Sequence, residues 1–529
     1  MLMIQDVAYI HSNKDVLFSN LNLTISRHSK TALIGNNGSG KSTLLQLIAG
    51  ELQPAAGQII ADATPYYVPQ VYGQFDEMTV AEAIGVADKF NALQRILQGD
   101  ITEEAYAMLD DDWTIEERCH EAFRYWQMDN ISLLQKMQTL SGGQKTKVFL
   151  AGILVHEPEL ILLDEPSNHL DVQGRQLLYD LIENTRSTML VVSHDRRLLN
   201  LPDTVCELDK EGIAVYGGNY EQYRLQKQIA NEALQHDVQS KEKALRKARE
   251  KERETIERQQ RLDARGKKKQ EKAGVAKIMM NTLRNNAEQS TSKLKNVHSE
   301  KISGIASELK ELRSALPDID QMRFGFDSSS LHRGKILFMT SSMNFAYNGK
   351  MLWKEDLDIT ITSGERIALK GANGSGKTTL IQLVLEKLAP TKGSIQTADS
   401  RRIYIDQDYS LIDNQLSVYE QVLAYNTAAL QEHELKNRLN RFLFTASYWD
   451  KPCQVLSGGE KMRLALCCLN IYSQSPEMII LDEPTNNLDI RNVEILIQAI
   501  NSYEGTLIVV SHDEWFLAQL KMSREIILQ

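Results

Sequence analysis

Short, unbroken apolar runs recur along this chain, and they come in pairs. Thr31-Ala32-Leu33-Ile34, Ile161-Leu162-Leu163 and Leu190-Val191-Val192 have counterparts in Ile367-Ala368-Leu369, Ile479-Ile480-Leu481 and Ile508-Val509-Val510. Runs of this length without polar alternation predict strands buried on both faces, the pattern of a parallel sheet. Tyr66-Tyr67-Val68 and Ile403-Tyr404-Ile405 predict two further short strands. Helices are predicted over Ser42 to Ala49 and over Thr378 to Leu388, each directly after a glycine-rich turn. Each part of the chain therefore reads as an α/β unit.

The middle of the chain has a different pattern. From about Tyr223 to Arg261 there is no Pro or Gly, and Lys, Arg, Glu, Gln and Ala dominate, all good helix formers. A second helix is predicted from about Asn281 to Leu316, where Ile302, Ile305, Leu309, Leu312 and Leu316 step by three and four residues. Pro317 ends it. Paired antiparallel, two such helices would project roughly 50 Å at 1.5 Å per residue. The segment between them, Arg265 to Gly274, includes Lys267, Lys268, Lys269 and Lys272, so the predicted tip is basic.

Chemistry-bearing sequences are also duplicated. Gly35-Asn36-Asn37-Gly38-Ser39-Gly40-Lys41-Ser42 recurs as Gly371-Ala372-Asn373-Gly374-Ser375-Gly376-Lys377-Thr378. Leu140-Ser141-Gly142-Gly143-Gln144 recurs as Leu456-Ser457-Gly458-Gly459-Glu460, and Ser193-His194-Asp195 as Ser511-His512-Asp513. The glycine loops turn backbone N–H groups toward phosphate oxygens at a helix N-terminus, with Lys41 and Lys377 reaching the β- and γ-phosphates. Thr43 and Thr379 complete the loops. Ser42 and Thr378 are candidate Mg²⁺ ligands, joined by Asp164 and Asp482 at the ends of buried strands and by Gln70 and Gln407 after the short ones. Glu165 and Glu483 follow the aspartates, placed to orient or deprotonate an attacking water. His194 and His512 end matching strands and are candidates for contact with the γ-phosphate. The cofactors implied are ATP and Mg²⁺.

Spacing between the copies shows duplication of a whole domain. The two glycine-loop lysines, Pro54 and Pro390, and Gly57 and Gly393 are each 336 apart, whereas Ser141 and Ser457 are 316 apart and the two histidines 318. The first copy thus carries an insert of about 20 residues, acidic and assigned to about 88–121. The organisation predicted is a first α/β ATPase domain over 1–222, a helical hairpin linker over 223–325 and a second ATPase domain over 326–529.

Charge and composition narrow the partners. A net charge of −10 conceals a basic segment, since residues 224–323 hold 24 Lys+Arg against 15 Asp+Glu. A basic insert between two acidic domains points to an acidic partner. No stretch approaches the roughly 20 apolar residues of a spanning helix. The N-terminus lacks a basic region followed by an apolar run, so no signal peptide is predicted. Five cysteines form no paired framework and suit reduced thiols. A cytoplasmic protein is expected.

Taken together, these sequences resemble tandem ATP-binding cassette (ABC) domains, over nearly all of both halves. The resemblance implies that the LSGGQ-type element of one half closes over ATP held by the other. Site one would combine Lys41, Ser42, Gln70, Asp164, Glu165 and His194 with Ser457, Gly458, Gly459 and Glu460. Site two would combine Lys377, Thr378, Gln407, Asp482, Glu483 and His512 with Ser141, Gly142, Gly143 and Gln144. Tyr347 matches the family's adenine-stacking position, where the first half has His11 beside Tyr9. Ser167-Asn168-His169-Leu170-Asp171 and Thr485-Asn486-Asn487-Leu488-Asp489 resemble the form typical of the soluble ABC-F branch, as does Tyr216 to Tyr223 leading into the linker.

That branch implies a monomer that closes intramolecularly and binds the ribosome near the tRNA exit site. Its linker tip would meet rRNA, with P-site tRNA as a second candidate contact. The role implied is translation regulation or antibiotic-resistance ribosomal protection, with ATP hydrolysis driving release. Phosphate-contact candidates are Lys267, Lys268, Lys269, Lys272 and Lys277. A DNA-associated ABC ATPase is the alternative, and the energy subunit of a transporter ranks below it.

Overall fold

The computed structural model describes all residues except 12–13, 101, 210–211, 273–298, 314–333, 373, 473–475, 487 and 529. It divides into two compact units, one of residues 1–223 with 321–529 and the other of residues 224–320.

In the first half, six strands form one sheet in the order Pro65–Val68, Leu160–Asp164, Thr188–Val192, Lys30–Ile34, Thr204–Leu208, Ile213–Gly217. All pairings but the last are parallel. The second half repeats this with five parallel strands, Arg402–Ile405, Met478–Asp482, Thr506–Val510, Arg366–Gly371 and Arg524–Leu528. The continuous apolar runs occupy the central strands, and Leu160–Asp164, Thr188–Val192 and Thr506–Val510 are buried at every position. Helices cover both faces, as unalternated strands require.

A three-stranded antiparallel sheet accompanies each parallel one: Val16–Ile25, Leu2–Ile10 and Ala56–Ala61 in the first half, Thr360–Thr362, Ile336–Asn344 and Lys392–Thr397 in the second. Register breaks where Gly57 and Gly393 meet the neighbouring strand. Both have φ near +80°, and a Cβ there would sit 2.3–2.4 Å from a backbone oxygen, Asp6 O or Ser342 O. Only glycine permits this bulge, which accounts for its repetition at the same offset.

The acidic insert is helical and packed. Ala87–Leu97, Glu103–Leu109 and Ile115–Tyr125 bury Phe90, Leu93, Leu109, Ile115, Cys119 and Phe123 in the core shared with the sheet. In the second half one helix, Glu432–Arg441, occupies the corresponding stretch of chain.

One helix runs from Tyr220 to Lys272, and from Arg224 onward it belongs to the other compact unit. It continues through Gly266, past the predicted end near Arg261. A lone glycine disfavours a helix by only about 1 kcal/mol, too little to stop one without a competing turn. Residues 299–313 are helical too. The two segments share ion pairs between Lys241 and Glu308 and between Arg313 and Glu242, and Val238 and Leu309 are buried. The rest of the second predicted helix and Lys277 lie outside the described residues.

Candidate nucleotide sites

At the end of strand Lys30–Ile34 the chain turns through the first glycine loop into helix Lys41–Ala49. Gly40 adopts φ +97°, with Leu17 and Phe18 2.8 Å from where a Cβ would lie, so only glycine lets the loop close this tightly. Lys41 is buried and donates to Gly35 O and Asn36 O at 2.8 and 3.2 Å. Lys377 repeats this with Gly371 O and Ala372 O at 2.7 and 3.0 Å. Burial lowers the pKa of both lysines.

Asp164 and Glu165 stand at the end of strand Leu160–Asp164, at 1% and 5% exposure. Tyr67 Oη donates to Asp164 at 3.4 Å, and Tyr404 Oη to Asp482 at 2.9 Å. Glu165 and Glu483 have φ of +52° and +47°, held by their amides donating to Val192 O and Val510 O. This unusual backbone turns each carboxylate toward its histidine. The His194 amide donates to Glu165 Oε2 at 3.2 Å, and the His512 amide to Glu483 Oε2 at 3.4 Å. The His194 ring reaches 3.2 Å from Glu165 Oε1, but that oxygen has no aligned hydrogen bond.

Burial, then Asp164, pushes the Glu165 carboxyl up to about 8, against the opposing pull of Lys41. Burial likewise raises Glu483 to about 7 and lowers His194 to about 3 and His512 to about 4. At neutral pH the Glu165–His194 contact is therefore chiefly one of neutral groups, while Glu483, partly ionised there, faces a neutral His512 ring.

One cavity of 370 Å³ is lined by His11, Asn37, Gly38, Gly40, Lys41, Ser42, Thr43, Gln70, Asp164, Glu165 and His194, together with Ser457 of the second half. A larger one, of 780 Å³, brings Tyr347, Gly374, Gly376, Lys377, Thr378, Thr379, Gln407, Asp482, Glu483 and His512 together with Ser141, Gly142 and Gly143 of the first. Ser39 and Ser375 keep buried hydroxyl oxygens without partners inside their loops. Asn373 lies outside the described residues. His11 meets Tyr9 edge-to-face at 5.5 Å, while Tyr347 Oη is 3.2 Å from Thr379 Oγ1.

Gln144, Gly458, Gly459 and Glu460 do not line these cavities. Gln144 and Glu460 instead complete capping boxes. Each side chain accepts from the amide of Ser141 or Ser457, at 2.9 and 2.8 Å, and each serine oxygen caps the helix in return.

Several contributors escaped the sequence reading. The Asn37 amide donates to Asp489 Oδ2 of the second half at 3.0 Å, joining the first glycine loop to the N-cap of helix Ile490–Asn501. His169 and Arg175 of the first half line the larger cavity, and Arg175 is a cation acting on Glu483. Val493 occupies the matching place in the second half at the 318-residue offset, so the two sites differ in charge.

No helix among the described residues is long and apolar enough to cross a membrane. The profile of the ABC transporter family matches this chain twice, at residues 18–168 and 354–486. Probable ATP-binding protein YbiT of Escherichia coli O157:H7 is 29% identical, over 95% of this chain and 92% of that protein. Ribosome protection protein VmlR of Bacillus subtilis is 29% identical, over 97% and 84%. Among solved structures, the complex of archaeal ribosomal stalk protein aP1 with archaeal ribosome recycling factor aABCE1 superposes with a TM-score of 0.60 at 20% identity, over 99% of this chain and 87% of that one.

Proposed function

Because the chain belongs to the ABC transporter family of ATPases, and within it to the ABC-F subfamily, we propose that its two cassettes clasp ATP head to tail and that the ATP-bound form engages the ribosome. The observation that carries the partner is the segment 224–323, with 24 basic against 15 acidic residues, between two acidic cassettes. Such a segment attracts a polyanion. The likeness to a ribosome protection protein over 97% of the chain supports rRNA as that polyanion. Lys267, Lys268, Lys269, Lys272 and Lys277 contact its phosphates from the tRNA exit site region. The protein acts in the cytoplasm as a monomer.

In each site the lysine of the glycine loop leaves its carbonyl partners to meet the β- and γ-phosphates. Glu165 and Glu483 orient and deprotonate the attacking water, and His194 and His512 hold the γ-phosphate. The amides opening the helices at Ser141 and Ser457 face the phosphate from the opposite half. Mg²⁺ fits the acidic end of the first site, where Asp164 Oδ1 is buried with no partner, and oxygen ligands suit this ion. Ser42, Gln70 and Asp164 would hold it in one site, and Thr378, Gln407 and Asp482 in the other, where it would neutralise phosphate charge. Loss of the γ-phosphate removes the groups that join the halves, so hydrolysis releases the protein.

The test is sedimentation of the Glu165→Gln, Glu483→Gln protein through a sucrose gradient with ribosomes and ATP. Co-migration with 70S particles is expected. Its absence from every ribosomal fraction, with ATP still bound, would sink the ribosomal reading.

A further inference from the structure

Arg196 lies two residues past His194, and its guanidinium leaves the first half. Nη2 donates to Glu494 Oε1 of the second half at 2.7 Å. The guanidinium also lies over the Trp515 ring at 3.5 Å from its centre, and 5.8 Å from the centre of the Tyr220 ring. Its side chain is only 10% exposed. Each partner belongs to a different working part. Glu494 is on the helix whose N-cap, Asp489, accepts from Asn37 in the first glycine loop. Trp515 follows His512 by three residues, and Tyr220 opens the linker helix. Tyr220 also shares a small apolar cluster with Leu199 of the first half and Ile490 of the second.

The contacts close a ring around site one. The glycine loop holds Asp489, the Asp489 helix holds Arg196, and Arg196 is covalently next to the His194 turn that hydrogen-bonds Glu165. Site two has no such ring among the described residues. At the 318-residue offset Arg196 becomes Glu514, Glu494 becomes Gln176 and Trp515 becomes Arg197. Glu514 lines a cavity of 310 Å³ with Asp171 and Gln173 of the first half, beside Lys377 and His512 of its own. Gln176 is bonded by Arg197 at 2.8 Å within its own half.

We propose that Arg196 is a positioning residue for the first ATP site, tying the second half and the start of the linker helix to the His194 turn, so that site one opens after site two. Opening site one must separate the partly buried Arg196–Glu494 pair, which lies on the Asp489 helix bonded to the first glycine loop, whereas Glu514 and Gln176 at the matching positions offer site two no such pair to break. The inference rests on the head-to-tail reading of the sites and concerns the protein alone, with no ribosome.

The test follows release of radiolabelled ATP from purified full-length Glu165→Gln, Glu483→Gln protein. Two ATP per chain leaving in a fast and a slow phase are expected, and Lys41→Ala should delete the slow phase. Adding Arg196→Ala should speed the slow phase about tenfold, a plausible sum for one partly buried ion pair and one cation–π contact, and leave the fast phase unchanged. Arg196→Lys, which keeps the charge and loses the flat stacking, should recover part of the delay. Glu494→Gln, made on the opposite half, should reproduce the loss without adding to Arg196→Ala. A single phase in the parent, equal acceleration of both phases, or no acceleration would each overturn the proposal. One ATP per chain would instead overturn the two-site reading beneath it.

Discussion

Replacing Glu165 by Gln should stabilise the nucleotide-free protein at alkaline pH and leave it unchanged at acid pH. The carboxyl is 5% exposed, beside Asp164, and is pushed from an ordinary 4.5 up to about 8. A value raised by folding means that the folded chain keeps a proton the unfolded chain has released. The stability this group contributes is therefore fully present below pH 4.5 and is lost as pH rises through 8. Above pH 8 the penalty is on the order of 3–5 kcal/mol, at about 1.4 kcal/mol per tenfold change in proton activity. Gln has the same shape and no charge to bury. The opposing pull of Lys41 is already contained in that shift, so the gain is at least about 3 kcal/mol.

In a half of this size that corresponds to a melting temperature about 6–12 °C higher at pH 8.5, with the two proteins within about 2 °C at pH 5. Scanning calorimetry of both proteins, freed of nucleotide, measures the difference. His194, lowered to about 3, has the opposite sign: its contribution is present above pH 6.5 and lost as pH falls. Both proteins carry it, so it cancels. An equal gap at both pH values, or a Gln protein that melts lower at pH 8.5, would show that Glu165 is ionised and unstrained in the fold.

Three further outcomes are expected. The Glu165→Gln, Glu483→Gln protein should bind ATP normally while steady-state hydrolysis falls about a hundredfold or more, the usual contribution of a general base; retained phosphate release would remove both glutamates from that role. Neutralising Lys267, Lys268 and Lys269 should flatten the salt dependence of ribosome binding by up to about 0.9 log unit per lost duplex-like phosphate contact, and an unchanged slope would mean these lysines touch no phosphate. Arg175→Val should move the pH profile of site-two turnover, read in the Glu165→Gln background, to higher pH. The cation favours the Glu483 carboxylate, so removing it raises the pH at which that base ionises; an unmoved profile would separate Arg175 from Glu483.

How well the sequence could be read depended on distance along the chain. Strands and glycine loops are local and repeat at one offset, so their pattern sufficed. The use of Gln144 and Glu460 was legible too, because Ser-x-x-Gln and Ser-x-x-Glu before a helix are capping-box spacings, yet their place in the repeated sequence drew attention toward ATP instead. The insert's acidity gave no sign of its packing, although Phe90 and Leu93 step as one face of a helix and are buried. Nothing local could reveal Asp489 at Asn37, 452 residues apart, or Glu494 at Arg196, 298 apart. Such contacts arise only when one half docks on the other, and a side chain carries no mark of a partner so remote.

The capping boxes have an electrostatic consequence. Where the first half has a neutral amide at Gln144, the second has a full negative charge at Glu460, only three residues from a serine that lines an ATP cavity. Aimed outward, that charge would oppose phosphate. Folded back, it accepts from Ser457 N and Ser457 Oγ at 2.8 and 2.9 Å, at the positive end of its own helix. The positive end of the helix stabilises the carboxylate in that pose, but about half a unit of positive charge cannot cancel a full negative one. The helix that opens at Ser457 therefore offers a phosphate less positive potential than the one that opens at Ser141, and the substitution makes the two halves unequal at the place where they are otherwise most alike.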